Sequence, residues 1–380
     1  MEYRRFGRTN LNLSAFSLGL MRCLSSPNLA IATIENVIKA GVNHLETARG
    51  YGKSEEYLGL YLNSPEAVSR EKIFITTKLP PTSSNKLMAE WIDQSLANLQ
   101  TDYLDCLAIH GINTKQHLLW ISKSEGCLNA IQEAQQLGKI RHLGFSSHGS
   151  LDIILQTIKT DLFAFVNLHY YYFWQRNLPA IVLARQKDLG VFIISPVDKG
   201  GRLYNPPEIL QELCQPLTPI EFNDRWLLNH QQITTLSFGV SCPEEIDLNR
   251  LQQKQVSTTS SCTQLLEKIE RNLDLHSQNI LKSDRCSQCN LCLPCPEAIN
   301  IPEVLRLRNL ALGYDMTDFG QYRYRMFENA GHWFPGKKGD RCTDCGDCLP
   351  RCPERLDIPR LLKDTHQRLN GSPRRRLWED

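Results

Sequence analysis

Eight short β-rich apolar runs, with segments of helical spacing between them, constrain the fold of this chain more than any other feature. They are Phe16 to Leu20, His44 to Ala48, Ile73 to Leu79, Leu104 to His110, Ile140 to Ser146, Ala164 to Tyr170, Val191 to Val197 and Thr235 to Val240. Several are nearly continuous in apolar residues, as a strand covered on both faces must be, and the gaps carry stripes such as Ile31, Ile34, Val37 and Ile38. Alternation of this kind builds a parallel sheet with crossover helices, and eight strand–helix units close a (β/α)8 TIM barrel of roughly 250 residues. A short amphipathic start reads as a hairpin ahead of the first unit. The whole chain has 380 residues, too many for one ordinary core. The pattern ends near residue 265, where Leu265 to Leu275 reads as a helix leading into a segment of different composition. The expected domains are residues 1–265 and 266–380.

The second segment is marked by cysteine. Of 14 cysteines, eight fall in two tight groups: Cys286, Cys289, Cys292 and Cys295 before Pro296, and Cys342, Cys345, Cys348 and Cys352 before Pro353. Two-residue gaps let one loop wrap an iron–sulfur cubane, with three thiolates converging while backbone amides point at the sulfides. The second group matches the bacterial C-x2-C-x2-C-x3-C-P run, and the first is one residue short before its last cysteine. Structural zinc also uses four cysteines, but it usually pairs two from each of two knuckles. The segment therefore resembles a small, mainly helical bacterial-ferredoxin-like domain with two 4Fe-4S clusters. In two-cluster ferredoxins the fourth cysteine of each run ligates the other cluster. That resemblance implies one set of Cys286, Cys289, Cys292 and Cys352 and another of Cys342, Cys345, Cys348 and Cys295; the alternative is that each run holds its own cluster. Helices are expected near Val304 to Leu312 and Phe319 to Phe327. The closing Pro373-Arg374-Arg375-Arg376 is read as a solvated end.

Active groups of such a barrel lie where strands finish. The second run ends in Glu46-Thr47-Ala48-Arg49-Gly50-Tyr51-Gly52, the third delivers Lys78, and the fourth finishes at His110. A carboxylate, a phenol, an ammonium and an imidazole thus surround one mouth, as a proton-transfer site requires. The bland alternatives are a barrel-end ion pair for Glu46 and Lys78 and a satisfied core histidine for His110. In these motifs, in Gly138-Lys139-Ile140-Arg141-His142-Leu143-Gly144-Phe145-Ser146-Ser147 and in Leu217-Thr218-Pro219 before a helix ending at Trp226-Leu227-Leu228, the chain resembles the aldo-keto reductases over most of residues 1–250. Together with the cysteine groups, it resembles their ferredoxin-tailed branch.

The resemblance implies reversible carbonyl reduction, with hydride from a nicotinamide and a proton from Tyr51. A phenol of pKa ~10 is a poor donor near neutrality, and a neighbouring ammonium such as Lys78 lowers that value. Glu46 would keep Lys78 charged, and His110 would orient the carbonyl oxygen. For the cofactor the resemblance implies Ser146, Ser147, Asn167, Ser195, Lys199, Gly201, Arg202, Gly239, Ser241 and Asn249. Glu46 stands where the family usually has Asp, Ser147 where it has Asn, and Asn167 where it has Gln. The loop after the eighth run, Gly239-Val240-Ser241-Cys242-Pro243-Glu244-Glu245, lacks a basic residue for a 2′-phosphate, and its carboxylates would repel one. The choice between NADP and NAD therefore stays open. For Lys199 and Arg202 the alternative is surface solubility.

Charge narrows the partners. Forty-three Lys plus Arg against 41 Asp plus Glu give a formal charge of +2, which offers no field for nucleic acid or an anionic membrane. No stretch approaches the ~18 apolar residues of a membrane span, and Met1 to Asn10 has no apolar signal region. Expected partners are a small carbonyl or alcohol substrate and an electron-transfer protein, with no nucleic acid or membrane, in the cytoplasm. The substrate-side loops offer only the aromatic walls Tyr171, Tyr172, Phe173 and Trp174. A competing class is an electron-transfer or redox-sensing protein whose barrel serves as a ligand- or partner-binding scaffold.

Overall fold

A computed structural model describes residues 1–122, 126–251 and 260–373. Its strands are β1 (Tyr3–Arg5), β2 (Asn12–Ser14), β3 (Phe16–Gly19), β4 (His44–Glu46), β5 (Phe74–Leu79), β6 (Leu104–His110), β7 (Ile140–Ser146), β8 (Phe165–Leu168), β9 (Gly190–Ile193) and β10 (Thr235–Phe238). The α-helices are α1 (Pro27–Lys39), α2 (Ser54–Leu62), α3 (Asn85–Leu99), α4 (Lys115–Ser122), α5 (Leu128–Gln136), α6 (Leu151–Lys159), α7 (Leu178–Gln186), α8 (Glu208–Cys214), α9 (Pro219–Asn229), α10 (Leu248–Leu251), α11 (Ser260–Leu281), α12 (Ile301–Gly313), α13 (Thr317–Tyr324) and α14 (Ile358–Leu369).

The eight apolar runs are the eight staves of a closed parallel barrel in the order β10-β3-β4-β5-β6-β7-β8-β9. Closure comes from β10 on β3, with Leu236 beside Phe16 and Phe238 beside Leu18. Residues of β3, β4, β8 and β9 are buried throughout, which is why their sequence does not alternate. The expected hairpin is the antiparallel pair β1 and β2. Phe6 and Leu13 pack from it against Cys106, Ala108, Phe165 and Phe192 inside the barrel. Gly190 is required there, because a Cβ would stand 2.2 Å from the Phe6 ring. Higher in the lumen, Ser17 Oγ meets His44 Nδ1 at 2.7 Å and Thr235 Oγ1 at 2.7 Å, and His44 Nε2 meets Thr76 Oγ1 at 2.8 Å. Buried polar groups are satisfied there by their neighbours on adjacent staves.

Two strands stop short of their apolar runs. β8 ends at Leu168 because His169 turns its ring to Tyr171 and His148, and Tyr171 and Trp174 exchange backbone hydrogen bonds of 3.1 and 2.9 Å. β9 ends because Ser195 takes φ +53°, a left-handed conformation incompatible with a strand.

Contacts divide the chain into two compact units, Met1–Pro196 with Asp224–Thr258, and Val197–Asn223 with Thr259–Asp380. In the second unit α12 is buried along nearly its whole length and packs against α11, α13 and α14. Arg306, almost fully buried, is paired with Glu303 at 2.7 Å. α14 starts where Asp357 accepts a hydrogen bond from the Arg360 amide and Pro359 opens the first turn, and it buries Ile358, Leu361, Leu362, Thr365 and Leu369. The helix expected over Phe319 to Phe327 runs instead from Thr317 to Tyr324, after which turn hydrogen bonds such as Phe327 N to Tyr324 O replace it. Arginines 374–376 of the basic tail lie outside the described residues. Among the described residues no helix is long and apolar enough to cross a membrane.

Candidate functional site

The C-terminal ends of β4, β5, β6 and β8 bring five of the expected residues to one mouth. Glu46 closes β4 and Lys78 lies in β5, with 4% and 1% of their surfaces exposed. Their strands pair Glu46 with Thr76, so Lys78 stands two residues further along. Lys78 Nζ lies 2.6 Å from Glu46 Oε1, donates to the Thr47 carbonyl at 2.9 Å and reaches Tyr51 Oη at 3.4 Å. Tyr51 is held by a turn whose amide bonds to Ala48 O at 2.9 Å. Lys78 Nζ also sits 4.7 Å from the centre of the Tyr51 ring. His110, at the end of β6, meets Tyr51 edge to face with ring centres 5.6 Å apart.

Burial alone would lower the pKa of the Lys78 ammonium, but the charges and hydrogen bonds of Glu46 and Tyr51 more than reverse this and raise it above the ordinary lysine value. The group is a fixed cation at neutral pH. An ammonium pinned beside a phenol is an arrangement that can stabilise a phenolate and so let the phenol part with its proton.

The expected cofactor residues divide. Asn167, fully buried in β8, donates Nδ2 to Glu46 Oε1 at 3.1 Å, while its Oδ1 is buried without a hydrogen-bond partner. An acceptor of that kind fits a carboxamide N–H. Ser146 Oγ accepts from the Gly111 amide at 3.0 Å, and Ser147 Oγ donates to Ile112 O at 2.7 Å while accepting from Gly149 N at 3.1 Å. Both hydroxyls already brace the loops around them. Ser195 follows β9, Gly239 follows β10, and Asn249 is exposed on α10. Ser241 is engaged by Glu245, whose carboxylate takes its amide at 2.8 Å and its hydroxyl at 2.7 Å. These hydrogen bonds, and after them the charge of Arg22, hold the Glu245 carboxyl below its ordinary pKa. Lys199, Gly201 and Arg202 group with the second compact unit. There the Arg202 guanidinium lies 4.2 Å from the centre of the Tyr322 ring, and a Cβ on Gly201 would stand 2.6 Å from Met316 Cε.

Three features at the barrel mouth escape the sequence reading: the Asn167 link to Glu46, the Thr47 carbonyl on Lys78, and the chain of His148, His169 and Tyr171. The third had a signal, since His148 and His169 each lie two residues beyond a strand-end polar residue, Ser146 and Asn167, and so return to the same face.

The cysteines are all free thiols. Cys286, Cys289, Cys292 and Cys352 line one recess of about 300 Å³, walled by Pro302, Leu305, Leu356 and Ile358. Cys295, Cys342, Cys345 and Cys348 line another of about 330 Å³ with Ile301 and Leu362. Each recess thus collects three cysteines from one run and the fourth from the other. Among the described residues no three His, Cys, Asp or Glu side chains are disposed to hold a single metal ion. Burial raises the thiols of Cys286, to about 11, and Cys292, to about 12, so near neutrality they give up their protons only to a cation. Four such sulfurs around an apolar-walled recess suit an iron–sulfur cubane.

Comparison with known proteins places both parts. The model of the aldo/keto reductase family matches residues 15–250, and that of the 4Fe-4S dicluster domain matches residues 285–356. An uncharacterized oxidoreductase of Bacillus subtilis, YqkF, is 23% identical over 69% of this chain and 97% of its own length. Methylglyoxal reductase DkgA of Salmonella typhimurium is 29% identical over 56% of this chain and 75% of its own. L-glyceraldehyde 3-phosphate reductase of Escherichia coli is 29% identical over 39% and 46%. Among solved structures, the holo form of aldo-keto reductase AKR11C1 from Bacillus halodurans superposes with a TM-score of 0.60 at 22% identity, over 71% of this chain and 96% of that one. With its barrel matched by the family model over well more than half of its length, the chain belongs to the aldo/keto reductase family of oxidoreductases and carries a 4Fe-4S dicluster domain behind it.

Proposed function

We propose that this protein is a nicotinamide-dependent oxidoreductase that interconverts a small aldehyde or ketone with its alcohol, using Tyr51 as the general acid. One observation carries the reading: Lys78 Nζ, buried and paired with Glu46 at 2.6 Å, points a fixed positive charge at Tyr51 Oη from 3.4 Å. A nicotinamide, when bound, supplies hydride to the carbonyl carbon. Tyr51 gives its proton to the carbonyl oxygen, and Lys78 stabilises the phenolate left behind. His110 orients that oxygen from the other side of the phenol. Asn167 Oδ1 accepts from the carboxamide, relieving its lack of a partner. Two relatives are named for reducing small aldehydes, which supports the substrate class. The two cysteine quartets hold two 4Fe-4S clusters that are structural or relay electrons.

The grip of Glu245 on Ser241 removes the donors that a 2′-phosphate would need and leaves a carboxylate in their place, so the cofactor is NAD as readily as NADP. The same grip favours a second reading, in which the barrel is a scaffold and the clusters alone carry electrons. Tyr51→Phe separates the two. It is expected to cost carbonyl reduction about 10²–10⁴-fold while NADH or NADPH still quenches tryptophan fluorescence. An undiminished rate removes Tyr51 as the acid.

A further inference from the structure

The geometry points to Asn167 as a positioning residue for the acid–base pair, acting through Glu46 and in addition to any contact with the cofactor; the inference rests on the functional reading above. In the barrel order β10-β3-β4-β5-β6-β7-β8-β9, β4 and β8 are four staves apart in a closed ring of eight. The hydrogen bond from Asn167 Nδ2 to Glu46 Oε1 therefore crosses the lumen from one wall to the opposite one, between residues 121 positions apart in sequence. Its acceptor is the same oxygen that receives Lys78 Nζ. Both ends are buried, Asn167 completely, and a hydrogen bond to a carboxylate in such surroundings is among the stronger kinds.

A carboxylate bonded only to Lys78 could swing about its side-chain torsions and carry the ammonium with it, because Glu has two methylenes between backbone and carboxylate. Held from β8 as well, Oε1 is fixed between two walls, and the distance from Lys78 to Tyr51 is fixed with it. Asn167 does this with its N–H group alone. Its carbonyl oxygen stays available within the lumen, so a cofactor donor that engages Oδ1 fixes the amide plane and tightens the hold on Glu46. Cofactor binding and the placement of the acid are thereby coupled through one side chain.

The span has a definite length: two methylenes from the Glu46 side and one from the Asn167 side. Shortening one side and lengthening the other conserves their sum. Glu46→Asp and Asn167→Gln are each expected to break the link, and the double variant to restore it. In anaerobically purified full-length protein, each single exchange is expected to lower Tm by roughly 2–4 °C and kcat by up to about 100-fold, the cost of an ångström-scale misplacement, with a smaller change in KM. The alkaline limb of kcat, where the phenol loses its proton, shifts in the single variants. The double variant is expected to recover most of the Tm and the kcat and to return the limb to the wild-type position. If the longer Gln is not accommodated, Asn167→Ala breaks the link without adding volume and gives the same kcat loss and limb shift. Additive Tm losses in the double variant overturn the inference, as does recovered Tm with no recovery of kcat or with a limb that never moved. A wild type that reduces no carbonyl compound overturns the functional reading first, before any substitution is made.

Discussion

The barrel mouth and the cysteine loops both gather reactive side chains from distant parts of the chain, but they hold them by opposite means. At the mouth the groups satisfy one another: Lys78 has Glu46, the Thr47 carbonyl and Tyr51, and Glu46 has Asn167 besides. All are carried by strands or by the turn after one, and the pair at the centre is almost fully buried. The cysteines sit in irregular loops shaped by left-handed residues such as Gln288, Asn290, Asp344 and Gly346, and Cys289 and Cys345 are exposed. Their sulfurs make few hydrogen bonds, among them Gln288 N to Cys286 Sγ at 3.4 Å. A charge network can be assembled in advance because its members neutralise each other. A cluster site must leave its ligands unsatisfied so that iron can complete it.

The most severe way to break this contrast is to remove one sulfur ligand. Cys352→Ala is expected to cut the iron content of anaerobic protein from about eight to about four per chain. It should leave the same residual EPR spectrum as Cys286→Ala and a different one from Cys295→Ala. A residual spectrum matching that of Cys342→Ala would mean that each run keeps its own cluster. Activity of the barrel site is a separate readout, since no ligand of that site is touched.

A smaller effect tests how far the barrel interior depends on staying uncharged. Burial, and after it the charge of Lys78, lowers the His44 imidazole from 6.5 to about 3. The native state keeps this ring neutral where the unfolded chain takes up a proton. Stability therefore falls as the pH drops below about 6.5 and continues to fall toward 3. At about 1.4 kcal/mol per unit, His44 accounts for a loss of ~2 kcal/mol between pH 6.5 and pH 5. Denaturant unfolding of His44→Asn should show a correspondingly flatter acid limb, and an unchanged slope would assign the titration elsewhere.

The smallest expected effect concerns the nucleotide. With Ser241 held by Glu245 and no cation in its loop, NADP⁺ is expected to bind no more than about tenfold, or ~1.4 kcal/mol, tighter than NAD⁺. Titration of tryptophan fluorescence with each nucleotide measures the ratio. A larger preference would reveal a basic partner outside the loop after β10.

Much of this architecture is legible in the chain because burial on both faces forces the staves to be apolar, and because a barrel displays its reactive residues where those runs end. Glu46, Tyr51, Lys78 and His110 could be found that way, and the cysteine runs announce themselves by spacing. What the periodicity does not carry is geometry across the lumen. Nothing local ties Asn167 to Glu46, since the two meet only when the ring of strands closes. The self-satisfied Ser241 is hidden for a similar reason: whether a serine is free depends on where the carboxylate four residues later folds back. The early ends of β8 and β9 come from His169 and Ser195, one drawn into a histidine–tyrosine chain and the other in a left-handed turn that composition does not signal. Residues 197–223 look like one more strand-to-helix connection in sequence, yet their contacts group them with the second compact unit.

Isotope transfer from the nucleotide addresses the proposed chemistry most directly. Anaerobic protein is supplied with nicotinamide deuterated at the hydride position, first as NADH and then as NADPH, together with a small aldehyde such as methylglyoxal, and the alcohol is analysed by mass spectrometry and NMR. The expected result is one deuterium on the carbinol carbon, with Tyr51→Phe forming little product. An alcohol whose new carbon-bound hydrogen comes from solvent, formed at an equal rate with dithionite in place of the nucleotide, would contradict direct hydride transfer at the barrel mouth and leave the clusters as the source of the electrons.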